Sequence, residues 1–235
     1  MLLGYGKMGK AIEQVAVKRN HTIPFKIGSS NLADLKNITK AEVDAAIEFT
    51  QPESAFENVK TCLENGIPVV CGTTGWLSRR KEIEDICNAN HGAFFYASNF
   101  SVGVNIFFHL NKHLAKIMNS FPDYDVVTEE IHHTAKKDAP SGTGITLAEG
   151  ILEKIDRKKN WVNQSSDDIQ ELSIISKRID PYPGEHTIYY QSPIDTIEIK
   201  HTAHSREGFA SGSVLAAEFI AGKKGVFGMD DLLKI

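Results

Sequence analysis

Over the first hundred residues the apolar positions switch between two periods. Short continuous apolar runs fall at Met1–Leu3, Thr22–Ile27, Ala45–Phe49, Pro68–Cys71 and Ala93–Tyr96. Between them lie "GKAIEQVAVKRN", "PESAFENVKTCLENG" and "SRRKEIEDICNAN", each with helical spacing. In the first, Ile12, Val15 and Ala16 share one face while Lys10, Glu13 and Lys18 sit largely elsewhere. Continuous apolar strands alternating with helices predict βαβ units, hence a parallel sheet buried by helices on both faces. The stretch Leu32–Lys40 is too irregular to assign.

The pattern changes after Phe100. "SVGVNIFFHLNKHLAKIMNSF" places Ile106, Phe107, Leu110, Leu114, Ile117 and Met118 at helical spacing and predicts a long amphipathic helix. A strand, "YDVVTEEIHHT", and a helix, "GTGITLAEGILEKIDRK", follow. Next come a strand, "DIQELSIISKRI", and two alternating strands joined through Ser192–Pro193. This half reads as α+β with an open mixed or antiparallel sheet. From Ala210, "ASGSVLAAEFIAGKK" returns to a helix ending at Gly222 and Gly225. The fold class expected is therefore α/β: a Rossmann-like parallel-sheet domain, residues 1–101 with 210–235, plus an α+β domain with an open mixed sheet, residues 102–209.

Composition changes this picture little. The 235 residues are 41% hydrophobic and 24% charged, ordinary for a globular chain. A net charge of −4 leaves no basic footprint for nucleic acid. No apolar run nears the roughly 20 residues needed to cross a bilayer, and "MLLGYGKMG" lacks the layout of a signal peptide. Cys62, Cys71 and Cys87 show no ligand spacing, so they read as reduced thiols in a cytoplasmic protein without a metal site.

The candidate chemistry begins where the first strand runs into Gly4-x-Gly6-x-x-Gly9 and then a helix. Gly4 permits the tight turn, Gly6 lets backbone approach a pyrophosphate, and Gly9 lets helix and strand pack closely. The helix N-terminus then presents free N–H groups and the positive end of its dipole. This context is the one a dinucleotide site requires. Only Met1–Leu3 precede the loop, short for a strand of about five residues, which points to a natural start further upstream. An NAD site usually carries Asp or Glu about 20 residues on, whereas this chain offers "FKIGSSN". With no carboxylate there, and with Lys26, Ser29 and Ser30 able to meet a 2′-phosphate, NADPH or dual use is expected. "CGTTGW" and "ASNFSVGVN" follow the fourth and fifth strands, at the carboxyl ends where open α/β sheets bind ligands.

The second candidate is "EEIHHTAKKDAPSGTG". Neighbouring strand residues point to opposite faces, so His132 and His133 share a role only if the strand ends there. The following turn enters a helix capped by Ser141 or Thr143, with Gly142 easing close approach, which makes a second anion cradle. Lysine, imidazole and a helix N-terminus together suit a small carboxylated substrate. Imidazole, with a pKa near 6.5, or a lysine can donate a proton beside a hydride transfer.

The run Glu130-x-His132-His133-x-x-Lys136-x-Asp138-Ala139-Pro140-Ser141-Gly142-Thr143 resembles the signature of the dihydrodipicolinate reductases. "GYGKMG", "FTQPES", "GTTGW", "SNFSVGVN" and "SREGFASG" extend the resemblance along the chain in that family's order. Two departures stand out: a glycine loop one residue shorter than the common form, and no acidic residue after the second strand. The resemblance implies reduction of 4-hydroxy-tetrahydrodipicolinate with NADH or NADPH, on the diaminopimelate route to lysine, by a homotetramer. It implies His132 as catalytic acid and Lys136 as proton donor, with His133, Gly142 and Thr143 holding the carboxylates of a cyclic substrate. It implies that Gly4, Tyr5, Gly6, Lys7, Met8, Gly9, Lys26, Gly72, Thr73, Thr74, Ala97, Ser98, Asn99 and Phe100 line the cofactor. A non-catalytic nicotinamide sensor would keep the fold but has no need of His132 and Lys136. An amino-acid dehydrogenase would explain the glycine loop but not the Asp138–Thr143 turn.

Overall fold

The structure, a computed structural model, describes residues 1–205 and 207–235. The chain forms two compact units, Met1–Val102 with Glu207–Ile235, and Gly103–Arg206. In the first, strands β1 (Leu2–Leu3), β2 (Lys26–Ile27), β3 (Ala46–Glu48), β4 (Val69–Cys71) and β5 (Ala93–Tyr96) alternate with helices α1 (Lys7–Lys18), α2 (Pro52–Glu64) and α3 (Arg80–Ala89).

The long helix α4 (Val102–Met118) leads into the second unit. There β6 (Asp125–His132), α5 (Gly142–Leu152), β7 (Asn160–Val162), β8 (Glu171–Arg178), β9 (Gly184–Gln191) and β10 (Thr196–Ala203) follow in order. Helix α6 (Glu207–Ile220), β11 (Gly225–Phe227) and α7 (Met229–Leu233) complete the first unit.

The first sheet has the order β11-β5-β4-β3-β1-β2, and every pairing is parallel. Consecutive strand residues face opposite ways, and both sides are apolar. Leu3, Ala46, Val69 and Phe94 pack with Val59 of α2 and Ile83 of α3. Leu2, Ile47, Val70 and Phe95 pack with Ile12 and Val15 of α1 and Val214 of α6. Each such Val, Leu or Ile contributes roughly 1.5–3 kcal/mol by burial, which is why strands of two to four residues suffice here. Strand order reverses between β1 and β3, so the turns after those strands open at a switch point, where such sheets bind ligands.

The second sheet is mixed, in the order β10-β9-β6-β8-β7. β6 is antiparallel to β9 and parallel to β8. Helices α4 and α5 cover one side, packing Phe107, Met118, Leu147 and Ile151 on Val126, Leu172, Ile174 and Tyr190. Half-buried Val127, Ile131, Ile175 and Tyr189 occupy the alternate positions of their strands.

Three expectations are corrected. α4 buries Val104, Phe107, Asn111, Ala115 and Met118, while Ile106, Leu110 and Ile117 are exposed. The buried arc is centred on a polar residue: Asn111 donates to Leu147 O at 2.9 Å, a contact that no hydropathy pattern reveals. α6 starts at Glu207 rather than Ala210. It ends at Ile220, before the turn at Gly222, but Gly225 opens a strand that the pattern does not predict: β11 adds a sixth strand beside β5.

Candidate active site

The glycine loop has the geometry its sequence requires. Gly4 has φ +89°, and a Cβ there would lie 1.9 Å from Phe49 O. A Cβ on Gly9 would lie 2.2 Å from Gly4 O, so α1 can sit against β1 only as glycine. Gly6, the N-cap of α1, is the opposite case: nothing lies within 4 Å of where its Cβ would be. The open space faces unpaired N–H groups of the first turn, which fits a pyrophosphate. Lys7 is exposed and Met8 half-buried beside it.

At the end of β2, Lys26 is not a free cation. Its Nζ lies 2.5 Å from Glu13 Oε1 on α1. Tyr5 Oη donates to Glu13 Oε2, and the Lys26 ammonium lies 4.9 Å from the centre of the Tyr5 ring.

The turns after β3 and β4 are tied by a buried carboxylate. Glu48, fully buried, accepts from Thr50 N at 3.1 Å, from the Thr50 hydroxyl, and from Cys71 Sγ at 3.1 Å. Thr50 N also donates to Thr73 Oγ1 at 2.8 Å, and Trp76 Nε1 to Thr73 O at 2.8 Å. Thr73 is thus spent on the fold, Gly72 joins the end of the β3–β4 ladder, and Thr74 is exposed. After β5, Ala97 and Phe100 are buried while Ser98 is exposed. The Phe100 ring stacks on Phe95 at 5.8 Å, and Asn99 Oδ1 accepts from Ser101 N at 2.9 Å. Phe100 therefore offers a ligand its backbone only.

In the second unit β6 ends at His132, which resolves the two-histidine question. His132 points inward and is 8% exposed; His133 lies past the strand end and is half-buried. Two residues back on the same face, Glu130 is 1% exposed. Its oxygens accept from Ser141 N at 3.0 and 3.1 Å, Ser176 Oγ at 2.9 Å and Arg178 Nη2 at 3.1 Å. Burial alone would push this carboxyl up. The hydrogen bonds from Ser141, Ser176 and Arg178 outweigh it and hold the carboxyl below its usual range.

Ser141 caps α5, its Oγ accepting from Gly144 N at 3.0 Å, so Ser141 rather than Thr143 is the cap. Gly142 and Thr143 form the accessible first turn beyond it. Lys136 Nζ lies 2.8 Å from Asp138 Oδ2 with its side chain 23% exposed. Arg178 Nη2 also donates to Asp138 O at 2.5 Å, pinning the loop between Lys136 and the cap.

Register brings in a residue that the sequence pattern does not reveal. β9 pairs Glu130 with His186, whose ring centre lies 5.1 Å from that of His132, edge to face. Burial lowers the pKa of both imidazoles, and their mutual repulsion takes His186 down to about 4. His132 Nδ1 makes no hydrogen bond among the described residues. Glu130, His132 and His186 together have the spacing of a metal-ligand group. The Glu130 oxygens also accept from Ser141, Ser176 and Arg178, which ties both imidazoles to the cap of α5.

A glycine loop that opens a helix at the switch point of a parallel sheet defines a dinucleotide-binding unit, the kind that nicotinamide-dependent oxidoreductases carry. The family model for the dihydrodipicolinate reductase N-terminus matches residues 1–100, and that for the C-terminus matches 103–233. A 4-hydroxy-tetrahydrodipicolinate reductase of Christiangramia forsetii is 49% identical over 234 residues, 99% of this chain and 96% of that protein. One from Methanosarcina mazei is 34% identical over 233 residues, 97% and 86% of the two chains. A dipicolinate-bound dihydrodipicolinate reductase from Paenisporosarcina shares the fold, with TM-score 0.77 at 22% identity over 98% of this chain and 97% of that one. The chain belongs to the dihydrodipicolinate reductase family, as the motif around His132 and Lys136 implies.

Proposed function

We propose that the second unit grips the carboxylates of a cyclic substrate and supplies its proton, while the first holds the nicotinamide cofactor. The chain catalyses NAD(P)H-dependent reduction of 4-hydroxy-tetrahydrodipicolinate to tetrahydrodipicolinate in lysine biosynthesis. The product lacks the 4-hydroxyl, so the net change replaces hydroxyl by hydrogen, and the hydroxyl leaves as water. The nicotinamide supplies the hydride; the chain must supply the proton and hold the anions.

The observation that carries the role assignment is the cluster at the α5 N-terminus. The Ser141-capped turn offers the N–H groups of Gly142 and Thr143, with the Lys136 ammonium on the adjoining loop and His132 at the strand end. One carboxylate sits on the capped turn, with His133 assisting. Lys136 and His132 face the reacting ring as proton donors. Burial keeps His132 below its ordinary pKa, so the free enzyme holds it neutral at pH 7. An arriving dianion raises that pKa and charges the imidazole when a proton is needed.

Gly4, Tyr5, Gly6, Lys7, Met8 and Gly9 surround the pyrophosphate and adenosine, and Lys26 lies near the ribose. Gly72, Thr73, Thr74, Ala97, Ser98, Asn99 and Phe100 shape the nicotinamide side, Thr73 and Phe100 through backbone alone. The half-buried sheet residues Val127, Ile131, Ile175 and Tyr189 suit assembly as a homotetramer. Among the described residues no helix is long and apolar enough to cross a membrane, and a cytoplasmic enzyme is our reading.

The test is steady-state NADH and NADPH oxidation with 4-hydroxy-tetrahydrodipicolinate by the wild type, His132→Gln and His133→Ala. The assignment requires His132→Gln to lower kcat and His133→Ala mainly to raise the KM for the dicarboxylate. Equal losses in both variants would refute the division of roles. Light scattering of the purified chain tests the tetramer.

A further inference from the structure

The ribose-reading carboxylate that dinucleotide sites place at the end of the second strand is missing from this chain's β2, yet a carboxylate is held against the side chain of that two-residue strand's Lys26. It belongs to Glu13 of α1 and is fixed twice. Lys26 Nζ lies 2.5 Å from its Oε1, and Tyr5 Oη donates to its Oε2. Lys26 pairs with Leu2 across the β1–β2 ladder, one residue before β2 ends and the loop turns at Gly28. Both partners hold the Glu13 carboxyl below its usual range, Lys26 more strongly, so it is ionised at neutral pH. The Glu13 and Lys26 side chains remain 24% and 39% exposed, and so reachable by a ligand.

We propose that Glu13 is the specificity-determining carboxylate of the cofactor site. It accepts hydrogen bonds from the adenine-ribose hydroxyls of NADH and repels the 2′-phosphate of NADPH. The ion pair also alters what Lys26 can do. A lysine whose charge is already matched by Glu13 gives a 2′-phosphate little net attraction, and drawing it away leaves Glu13 facing the phosphate. A 2′-hydroxyl meets no such conflict, since Glu13 can accept from it while keeping Lys26. The sequence alone suggests NADPH or dual use because Lys26 is read without its partner. With the pair intact, NADH is used at least as well as NADPH.

The proposal rests on the glycine loop being the dinucleotide site, and the experiment separates the two. kcat/KM for NADH and for NADPH, with fluorescence titration of each cofactor, is measured in the wild type, Glu13→Gln, Tyr5→Phe and Gly6→Val. Glu13→Gln is expected to shift the NADPH-to-NADH ratio toward NADPH by at least about fivefold, as repulsion disappears and Lys26 is released. Tyr5→Phe, which loosens Glu13 without removing it, shifts the ratio in the same direction by less. Lys26→Ala placed on Glu13→Gln then weakens NADPH alone. Gly6→Val, whose side chain enters the open space beside α1, is expected to weaken both cofactors. If Gly6→Val weakens both but Glu13→Gln leaves the ratio unchanged, Glu13 is not the determinant. If Gly6→Val changes neither, the glycine loop is not the dinucleotide site and the proposal falls with it.

Discussion

On the proposed reading both units present a helix N-terminus to an anion, but they support it in opposite ways. The cofactor unit does it largely by leaving side chains out. Gly4 and Gly9 allow backbone to meet backbone, and Gly6 leaves open space before a helix N-terminus. Several nearby side chains that looked like ligand contacts, Thr73 and Phe100 among them, are turned into the fold. The substrate unit also offers a helix N-terminus, but supports it with buried charge: Glu130, which accepts from Ser141 N, sits with Arg178 and two imidazoles in one hydrogen-bonded and edge-to-face cluster. A site made from backbone breaks when atoms are added, whereas one made from buried charge breaks when a partner is taken away.

The largest effects should come from testing that contrast directly. Glu130→Ala takes the counter-charge from Arg178 and leaves Ser141 N without its acceptor. Removing one partner of a buried pair typically costs about 3–5 kcal/mol, and urea unfolding should show a loss of that size. In the cofactor unit the matching experiment adds a methyl group. Gly9→Ala drives a Cβ into Gly4 O and should cost about 3 kcal/mol, the upper end for overpacking. A Glu130→Ala protein as stable as wild type would mean that the carboxylate does not organise the substrate unit.

Next in size is a purely catalytic effect. Lys136→Ala should lower kcat by about a hundredfold, the lower end for removing a general acid. The dissociation constant for NADH or NADPH should not move, because Lys136 belongs to the substrate unit. Parallel loss of cofactor affinity would contradict the division of labour between the units.

The two sites were not equally legible in the sequence. The parallel sheet, the glycine loop and the Lys136–Thr143 turn could be read because each is local: a period, a spacing and a cap within a few residues. The Glu130–His186 pairing could not, because it depends on which residue of β9 faces which residue of β6, and register is settled by the whole sheet. Glu13 was visible only as a polar position on α1; its meeting with Lys26 is set by how α1 crosses β2. The inward turn of Thr73 likewise follows from Glu48 and Thr50, which lie more than twenty residues away. Strand alternation separates His132 from His133, but does not reveal that the carboxylate of Glu130 would be the hub.

A smaller effect separates the units by pH. His186 has a folded pKa of about 4 against an ordinary 6.5, so between those values the unfolded chain binds a proton that the folded one refuses. Its contribution is therefore complete above pH 6.5 and is lost as pH falls toward 4. Between pH 7 and 5 stability should drop by about 2 kcal/mol from this group. The groups facing it are His132, Glu130, His201 and Lys136, and His132 adds to the loss in the same direction. Glu130, whose carboxyl lies below 4.5, titrates under this window. His186→Asn should flatten the dependence of the urea midpoint on pH between 7 and 5. An unchanged slope would place the proton uptake elsewhere.

The smallest signal expected is an absence of reaction. All three cysteines lie in the cofactor unit, and each is fully buried. Burial, with the Glu48 charge nearby, pushes the Cys62 thiol up to about 12 and the Cys71 thiol further in the same direction; burial also raises Cys87. A thiolate is the reactive form, so each thiol is protected twice, by access and by ionisation. At pH 8 a disulfide reagent should label none of them in the folded protein and all three in denaturant. The tryptophans divide evenly, Trp76 in the cofactor unit and Trp161 in the substrate unit, so fluorescence can report which unit opens when labelling begins. Because the cofactor unit is built by apolar packing and backbone contact, its thiols should stay protected at pH 5, where proton uptake by unfolded His186 has lowered the stability of the substrate unit. Pre-incubation at pH 5, followed by brief labelling at pH 8, measures this. Cysteine labelling that rises along with the pH-dependent loss of stability would show that the two units open as one.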